Sequence, residues 1–353
     1  MNIQEFLTDM VELGASDLHI KAPTGPVYRI DGMLTKTEKC KPVTPEDVED
    51  VFNQVTTEAQ RKAFAEENEL DFAYGVPGLA RFRVNVHRQR GTLSMVFRII
   101  PFRVPSIEEL GLPQILKELI MKPRGLIVVT GPTASGKSTT LAAMVDYLNN
   151  SGRSCVITIE DPIEYMYRDN LCVISQRELG ADTKSFGTAL KHALRHDPDV
   201  IVVGEMRDLE TMSTAIAAAE TGHLVLGTLH TIDAPQTVDR MIDMFPPQQH
   251  QQVRLQFSQI LVAVLSQTLL PRASGHGRVG AFEIMLATPA VCNLIREGKT
   301  YELPSIMQMS KSVGMQILDQ DLAYLVKRGV VNREDAMLKT SHRERLAKLI
   351  EMQ

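Results

Sequence analysis

The chain has 353 residues, enough for about two domains, and is 44% hydrophobic and 23% charged, as ordinary globular proteins are. Its formal net charge of −5, with 5% aromatic residues and no tryptophan, argues against a protein that coats nucleic acid. No two of the four cysteines form a CxxC pair, which argues against a zinc site. We expect these residues, Cys40, Cys155, Cys172 and Cys292, to be buried, reduced thiols.

Neither end of the chain nor its longest apolar stretch predicts membrane insertion. The N-terminal MNIQEFLTDM carries acids and lacks the apolar core of a signal peptide. The stretch ILVAVLSQTLL at 260–270 is too short to span a bilayer. We therefore expect a cytoplasmic protein.

Residues 1–100 predict a mixed α/β domain. Apolar residues at helical spacing predict a helix over 2–13, which Gly14 ends, and Thr44 with Pro45 marks the start of another. The other predicted elements are short strands in DLHIKA, PVYRIDG and MLTKTE, a helix over 57–67 and a strand in LDFAYGV.

The segment RFRVNVHRQRGTLSMVFR at 81–98 alternates between apolar and polar residues and predicts a β-hairpin. A turn at Arg90 and Gly91 places Arg83 directly opposite Arg98 on the polar face. Like charges opposed on a sheet are destabilising. The hairpin is therefore either a solvated basic face, on which salt screens the repulsion between the arginines, or a site that binds a phosphate.

A linker is predicted at 101–113, which contains Pro101, Pro105 and Pro113. The next domain, 114–288, alternates helices with apolar strands, as a parallel sheet covered on both faces does. Its predicted strands are 125–130, 154–160, 199–205 and 223–230, and its predicted helices are 138–150, 185–196, 208–220 and 234–243. Residues 289–353 predict a mainly helical region.

A phosphate-binding loop is the strongest signal in the sequence. The strand GLIVVT runs into a GxxxxGK[ST] loop and then a helix, the context in which this motif binds nucleotides. Backbone N–H groups of such a loop surround a phosphate, a lysine reaches the β- and γ-phosphates, and a hydroxyl ligates Mg²⁺. The predicted nucleotide-binding residues are Gly131, Pro132, Thr133, Ala134, Ser135, Gly136, Lys137, Ser138 and Thr139, with Ser138 also a metal ligand.

Acids and histidines stand at the ends of the predicted strands. Glu205 follows a buried strand, where a carboxylate can hold Mg²⁺ or orient water. Glu160 and Glu164 crowd another strand end, which is costly unless a cation lies nearby. His223 and His230 flank the strand LVLGTL, about 23 Å apart if it is fully extended, so both cannot contact one phosphate group. His230 lies at the C-terminal end of the strand and is therefore the better predicted γ-phosphate sensor.

With these motifs in place, the chain resembles the type IV pilus retraction ATPases, a branch of the secretion-ATPase superfamily. The resemblance covers almost the whole chain. It rests on ASDLHI at 15–20, GPTASGKSTT at 131–140, ITIEDPIEY at 157–165, IVVGEMRD at 201–208 and TGHLVLGTLHT at 221–231. The four-cysteine zinc element and extra N-terminal domain of extension and type II secretion relatives are missing from this sequence.

The resemblance implies an α/β protein with a PAS-like α+β domain, a RecA-like P-loop domain and a helical C-terminal extension. It implies a cytoplasmic homohexamer that uses Mg²⁺ and ATP to retract type IV pili, without zinc or nucleic acid. The implied partners are an inner-membrane pilus platform protein and a possible paralogous retraction ATPase. The implied catalytic residues are Arg83 and Arg98 as arginine fingers, with Glu160, Glu164, Glu205, His223 and His230.

Two positions depart from the family pattern. Ala134 replaces a common glycine, which we expect to strain the loop if this position needs a positive φ. Cys292 replaces an arginine in the segment AVCNLIRE.

The alternatives left open are a pilus-extension or type II secretion ATPase, an accessory ring subunit with weak hydrolysis, and a RecA-like translocase. The sequence also leaves open which carboxylate activates water.

Overall fold

The computed structural model describes residues 1–30, 32–36, 41–100 and 103–352. Contacts divide the chain into two units, Met1–Arg103 with Glu164–Met166, and Val104–Ile163 with Tyr167–Gln353. Among the predicted thiols, Cys172 is buried and Cys155 and Cys292 are half-buried. Cys40 lies outside the described residues.

The first unit contains an antiparallel sheet with helices. Its elements are α1 (Ile3–Glu12), β1 (Asp17–Lys21), β2 (Val27–Ile30), β3 (Met33–Thr35), α2 (Pro45–Val55), α3 (Glu58–Glu67), β4 (Glu69–Val76), β5 (Ala80–Gln89) and β6 (Thr92–Ile100). The strand order is β3-β2-β1-β6-β5-β4. Thr44 begins α2 with a reciprocal capping box to Asp47, and Thr57 does the same for α3 with Gln60. The predicted helix start at Thr44 and Pro45 and the predicted helix over 57–67 are confirmed.

The hairpin of β5 and β6 has the predicted register. Arg83 pairs with Arg98, and the apolar pairs are Phe82 with Ile99, Val84 with Phe97 and Val86 with Met95. Arg90 and Gly91 have φ of 48° and 79°, as a tight type I′ turn requires. The side chain of Arg88 lies over the Phe64 ring, 5.5 Å from its centroid. The opposed arginine pair is therefore real.

The second unit contains a mostly parallel sheet covered by helices. Its elements are α4 (Ile115–Ile120), β7 (Gly125–Thr130), α5 (Lys137–Ser151), β8 (Cys155–Glu160), β9 (Val173–Glu178), α6 (Phe186–Ala193), β10 (Val200–Val203), α7 (Leu209–Glu220), β11 (Leu224–Leu229), α8 (Ala234–Asp243), α9 (His250–Ile260), β12 (Leu261–Pro271) and β13 (Arg278–Leu286). The order is β13-β12-β7-β11-β10-β8-β9, with β13 antiparallel to β12. β7, β10 and β11 are buried along their whole length, as their continuous apolar sequence predicts.

Three strands were not predicted. The apolar stretch at 260–270 forms the end of α9 and most of β12, and β13 and β9 complete the sheet on its two edges. The segment predicted as a linker, 101–113, has its residues from Val104 in the second unit. There Ile107 and Leu112 are buried in the core that also contains α4. Their apolar side chains, rather than the prolines around them, decide where this segment packs.

The region after residue 288 is helical, as predicted. Its helices are α10 (Pro289–Glu297), α11 (Leu303–Met309), α12 (Leu318–Lys327), α13 (Arg333–Met337) and α14 (Arg343–Glu351). Among the helices of the described residues, none is long and apolar enough to cross a membrane.

Glu283 of β13 joins this region to the sheet. Its buried carboxylate accepts hydrogen bonds from the backbone N–H of Ala234 at 2.8 Å and of Leu318 at 3.3 Å, the first residues of α8 and α12. Burial raises the pKa of Glu283, and these two hydrogen bonds oppose that rise. One side chain thus caps two helices that belong to different parts of the unit.

Asp321 of α12 gives a stability prediction. Its carboxylate accepts a hydrogen bond from the N–H of Phe282 at 2.8 Å, and burial raises its pKa from 3.8 to about 6. Because the folded state holds the proton more tightly, the stability that this group contributes is present below pH 3.8 and is lost as pH rises through about 6. We expect Asp321→Asn, which keeps the acceptor without the charge, to be more stable than the parent at pH 8, by roughly 1–2 kcal/mol.

Urea unfolding of the parent and of Asp321→Asn at pH 5 and pH 8 measures this effect. The difference in unfolding free energy between them should shrink at pH 5. Asp319→Asn is the matched comparison, because Asp319 is also on α12 but accepts a hydrogen bond from Arg345 at 2.6 Å. A difference for Asp321→Asn that is the same at both pH values would contradict the prediction.

Candidate nucleotide site

The loop between β7 and α5 is shaped by two glycines and a neighbouring strand. Gly131 and Gly136 have φ of 143° and 91°. A Cβ on Gly131 would lie 2.2 Å from the backbone oxygen of Gln267 and 2.7 Å from Ser135 Oγ. A side chain at position 131 would therefore displace the loop from β12. Both glycines are necessary for the path that the backbone takes toward the helix N-terminus.

Ala134 also has a left-handed backbone, with φ of 61°. An L-residue with a Cβ is disfavoured in this region by roughly 1–2 kcal/mol, whereas glycine is not. The strain that the sequence made conditional on a positive φ is therefore present. Ala134 remains in this conformation because the glycines and β12 fix the backbone of the loop on both sides of it.

We expect Ala134→Gly to relieve this strain. Part of the gain is offset because glycine has more conformational freedom in the unfolded chain, so we expect a rise in unfolding free energy of about 0.5–1 kcal/mol. Denaturant unfolding without nucleotide measures it. Ala217→Gly is the control, since the same substitution at an exposed position of α7 should lower stability by about 1 kcal/mol. Destabilisation by both substitutions would contradict the assignment of strain to position 134.

Three predicted site residues meet at the carboxyl edge of the sheet. Lys137 Nζ lies 2.8 Å from the backbone oxygen of Gly131 and 3.4 Å from His230 Nδ1. His230 Nε2 lies 3.0 Å from Glu205 Oε1. Because a lysine ammonium group only donates, His230 Nδ1 accepts from it and Nε2–H donates to the carboxylate. His230 therefore connects the lysine of the loop to Glu205.

The strands β10 and β11 place these residues. Glu205 comes two residues after the last residue of β10, and His230 comes directly after β11, which pairs in parallel with both β10 and β7. Gly227 on β11 leaves room for Met206, whose sulfur would lie 2.8 Å from a Cβ there. The chain after β10 can thus cross over β11 and bring Glu205 to His230.

Glu205 is ionised at neutral pH. Burial raises the pKa of this carboxyl, but hydrogen bonds from Arg207 and His230 outweigh burial and lower it overall. Arg207 Nε lies 2.5 Å from Oε1, and the carboxylate side chain is 18% exposed. A partly buried anion at the end of a central strand is suited to hold a metal ion or to orient water. Arg207 was not among the predicted site residues.

Glu160 also lies at this carboxyl edge, at the end of β8 and beside Gly204, which follows β10. Glu160 Oε1 accepts hydrogen bonds from Thr158 Oγ1 at 2.6 Å and Gln176 Nε2 at 3.1 Å. These two side chains hold the Glu160 carboxylate at the end of β8. Glu164 is exposed, in the segment 164–166 that groups with the first unit.

His223 lies at the other end of β11 from His230. It precedes Leu224, which pairs with Gly125 at the start of β7, and its Nδ1 contacts the backbone oxygen of Ala218 at 2.9 Å. The structure therefore does not bring His223 to Lys137, in keeping with the wide separation predicted for the two histidines.

Gln267 is a supporting residue that the sequence analysis missed. Its Nε2 donates to the backbone oxygen of Ser135 at 2.8 Å, and its Oε1 accepts from Thr140 Oγ1 at 2.9 Å. The neighbouring Ser266 hydroxyl accepts from Thr130 Oγ1 at 2.8 Å. The available signal was this Ser-Gln pair inside an apolar run, since buried polar residues need partners. β12 thus supports the loop from below.

The residues present fit a bound phosphate. Ser135 Oγ is buried and, among the described residues, has no hydrogen-bond partner. Such a group is costly unless a ligand satisfies it. The loop also offers the helix N-terminus of α5, the cation of Lys137 and the exposed hydroxyl of Ser138. Ser138 and Glu205 supply the oxygen ligands that Mg²⁺ prefers.

The two opposed arginines of the first unit have carboxylate neighbours. Arg98 Nε contacts Asp17 Oδ1 at 2.7 Å, and Arg83 Nε contacts Asp71 Oδ1 at 3.5 Å. Neither acid was predicted to pair with an arginine. These pairs account for how the sheet tolerates like charges at directly opposed positions.

Comparisons with known proteins agree with these features. The family model described as type II/IV secretion system protein matches residues 1–310. The Pseudomonas aeruginosa protein named type IV pilus retractation ATPase PilT is 49% identical over 336 residues, covering 95% of this chain and 97% of its own. The protein named type IV pilus ATPase PilU of the same organism is 44% identical over 337 residues, covering 96% and 88%.

A solved structure described as the pilus retraction motor PilT with bound ADP has a TM-score of 0.92 to this chain. The sequences are 46% identical, and the match covers 99% of each chain. These matches confirm the predicted resemblance and the predicted α/β fold class.

Proposed function

We propose, since the chain belongs to the type II/IV secretion system protein family, that it is an ATPase motor that retracts type IV pili. The observation that carries the proposal is the connection of Lys137 through His230 to Glu205 at the carboxyl edge of the sheet. A P-loop lysine coupled to an ionised carboxylate is suited to phosphoryl transfer to water. The match to a protein named as a pilus retractation ATPase, over nearly the full length of both chains, supports the mechanical task.

Each residue of the site has a role in this proposal. The backbone of 131–139 and Lys137 hold the phosphates, and Ser138 and Glu205 hold Mg²⁺. Magnesium–ATP supplies, when bound, the phosphoryl group and the cation that balances its charge. Glu205 orients the attacking water, and His230 donates its ring N–H to an oxygen of the γ-phosphate. Glu160, Glu164 and His223 are proposed as secondary residues of the same ATPase cycle.

The arginines of the first unit complete the proposal. Arg83 and Arg98 neutralise charge that develops on the γ-phosphate, as arginine fingers of ATPases do. The active form is a cytoplasmic homohexamer, so each arginine pair serves a site in its own or a neighbouring subunit. The ring works at an inner-membrane pilus platform protein and does not bind nucleic acid.

An accessory retraction subunit is a second candidate. It is favoured by the similarity to the protein named PilU, which is nearly as high as that to PilT. An accessory subunit would hydrolyse ATP slowly by itself and act with a paralogous motor. Steady-state ATPase assays of the purified protein, alone and with that paralogue, separate the two candidates.

Deletion of the gene, scored for surface pili and for twitching motility, tests the main proposal. We expect pili to be retained or increased and twitching to be lost. Complementation with the parent gene should restore twitching, and complementation with Glu205→Gln should not. Loss of surface pili after deletion would overturn the proposal in favour of a pilus-extension motor.

A further inference from the structure

A row of charges crosses the sheet of the first unit. Asp17 on β1 pairs with Arg29 on β2 at one side and with Arg98 on β6 at the other. Arg98 in turn pairs with Arg83 on β5. Residues paired in this way project from the same face of a sheet. Asp17 therefore lies between two arginines, Arg29 and Arg98, and Arg98 is also a member of the opposed pair.

Asp17 is the buried member of this row. Its side chain is 5% exposed, whereas that of Arg98 is 68% exposed. Oδ2 accepts a hydrogen bond from Ser16 Oγ at 2.8 Å and lies 3.7 Å from Arg29 Nε. Burial raises the pKa of Asp17, but hydrogen bonds from Ser16 and Arg98 outweigh burial and lower it overall. Asp17 is thus a fixed anion at neutral pH.

The contact between Asp17 and Arg98 is made at one nitrogen of the guanidinium group. Arg98 donates through Nε to Oδ1 at 2.7 Å. Nε adjoins the aliphatic stem, while the two terminal nitrogens form the fork that binds phosphate oxygens in pairs. A carboxylate bound at Nε therefore fixes the stem and leaves the phosphate-binding end directed outward. Arg83 also meets Asp71 through Nε, at 3.5 Å, but both of these side chains are more exposed.

We propose that Asp17 is a positioning residue for Arg98, holding the guanidinium group extended so that its terminal nitrogens meet a phosphate. Asp71 does the same, more weakly, for Arg83. The inference rests on the proposed role of the two arginines in ATP hydrolysis. A free arginine side chain loses rotamer entropy when it binds a phosphate, and part of that entropy is already lost when its stem is fixed. The anion also reduces the repulsion between the opposed arginines.

A double-mutant cycle on ATPase turnover tests the proposal. The variants are Asp17→Ala, Arg98→Ala and the double variant, assayed as purified full-length protein with Mg²⁺ and ATP. We expect Asp17→Ala to lower kcat about tenfold while KM for ATP stays within about twofold, because the arginine acts in the transition state. The double variant should turn over no more slowly than Arg98→Ala, because Asp17 acts through Arg98.

Two further variants separate positioning from folding. Asp17→Asn keeps an acceptor for Nε and should retain more turnover than Asp17→Ala. Ile20→Ala, on the opposite face of β1 and fully buried, should lower Tm without lowering kcat at a temperature where all variants are folded.

Losses that multiply in the double variant would overturn the role of Asp17 as a positioning residue. So would unchanged turnover of Asp17→Ala alongside reduced turnover of Arg98→Ala, a result that leaves the arginine role intact. Unchanged turnover of Arg98→Ala overturns the proposed role of Arg98 itself. If Asp17→Ala does not fold, the same comparisons are made with Asp17→Asn.

Discussion

Glu205→Gln is expected to retain nucleotide binding while ATP turnover falls by at least about 100-fold. The substitution keeps the size of the side chain and an oxygen that can accept from His230 Nε2, now 3.0 Å from the carboxylate. It removes the negative charge that would hold Mg²⁺ and orient the water. Steady-state ATPase assays measure turnover, and titration with a fluorescent ATP analogue measures affinity.

Glu160→Gln and Glu164→Gln are the informative comparisons for Glu205→Gln. Among these three carboxylates, Glu205 has the contact through His230 to Lys137, so its substitution should have the largest effect. Glu210→Gln is the matched surface control, since Glu210 is exposed and pairs with Lys191. Full turnover of Glu205→Gln, or a larger loss in Glu160→Gln, would move the catalytic role to another carboxylate.

Arg83→Ala and Arg98→Ala are each expected to lower turnover by about 10³-fold and to change ATP affinity by less than about threefold. An arginine finger acts mainly on charge that develops in the transition state, so its loss affects kcat more than ground-state binding. The two arginines differ in their neighbours, with Asp17 buried and Asp71 exposed. We therefore expect the larger loss for Arg98.

Arg90→Ala is the control for these two variants, because Arg90 lies in the turn between the same strands rather than opposite another arginine. Its turnover should stay near that of the parent. Unchanged turnover in both Arg83→Ala and Arg98→Ala would contradict the arginine-finger role and indicate that the hairpin is a solvated basic face. A large loss of ATP affinity instead would place the arginines in ground-state binding.

Local rules were sufficient for much of the fold. The hairpin register followed from alternation and a two-residue turn, because a one-residue slip would bring the buried face of Phe82 and Val84 to solvent. The start of α2 followed from Thr44 and Pro45, because a capping side chain acts within three residues. The P-loop followed from the spacing of its motif, because its glycines shape a loop of only a few consecutive residues.

Contacts between distant parts of the chain could not be predicted in the same way. β12 and β13 were missed because an apolar run of this length fits either a buried helix or a buried strand. Gln267 lies more than a hundred residues from Ser135, which it supports. The pairing of Asp17 with Arg98 joins two residues that are 81 positions apart in the sequence. These contacts depend on strand order, which local patterns do not contain.

The sequence by itself determined that this chain has a P-loop, a carboxylate and histidines at strand ends, and two arginines opposed on a hairpin. These features depend on neighbours along the chain, within the reach of a turn, a helix cap or a strand pair. The sequence already favoured His230 over His223, and the tertiary structure decided that His230 meets Lys137 and Glu205, because parallel strands gather their carboxyl ends at one edge. It also decided that Arg98 is held by a buried anion, because the sheet brings β1 beside β6.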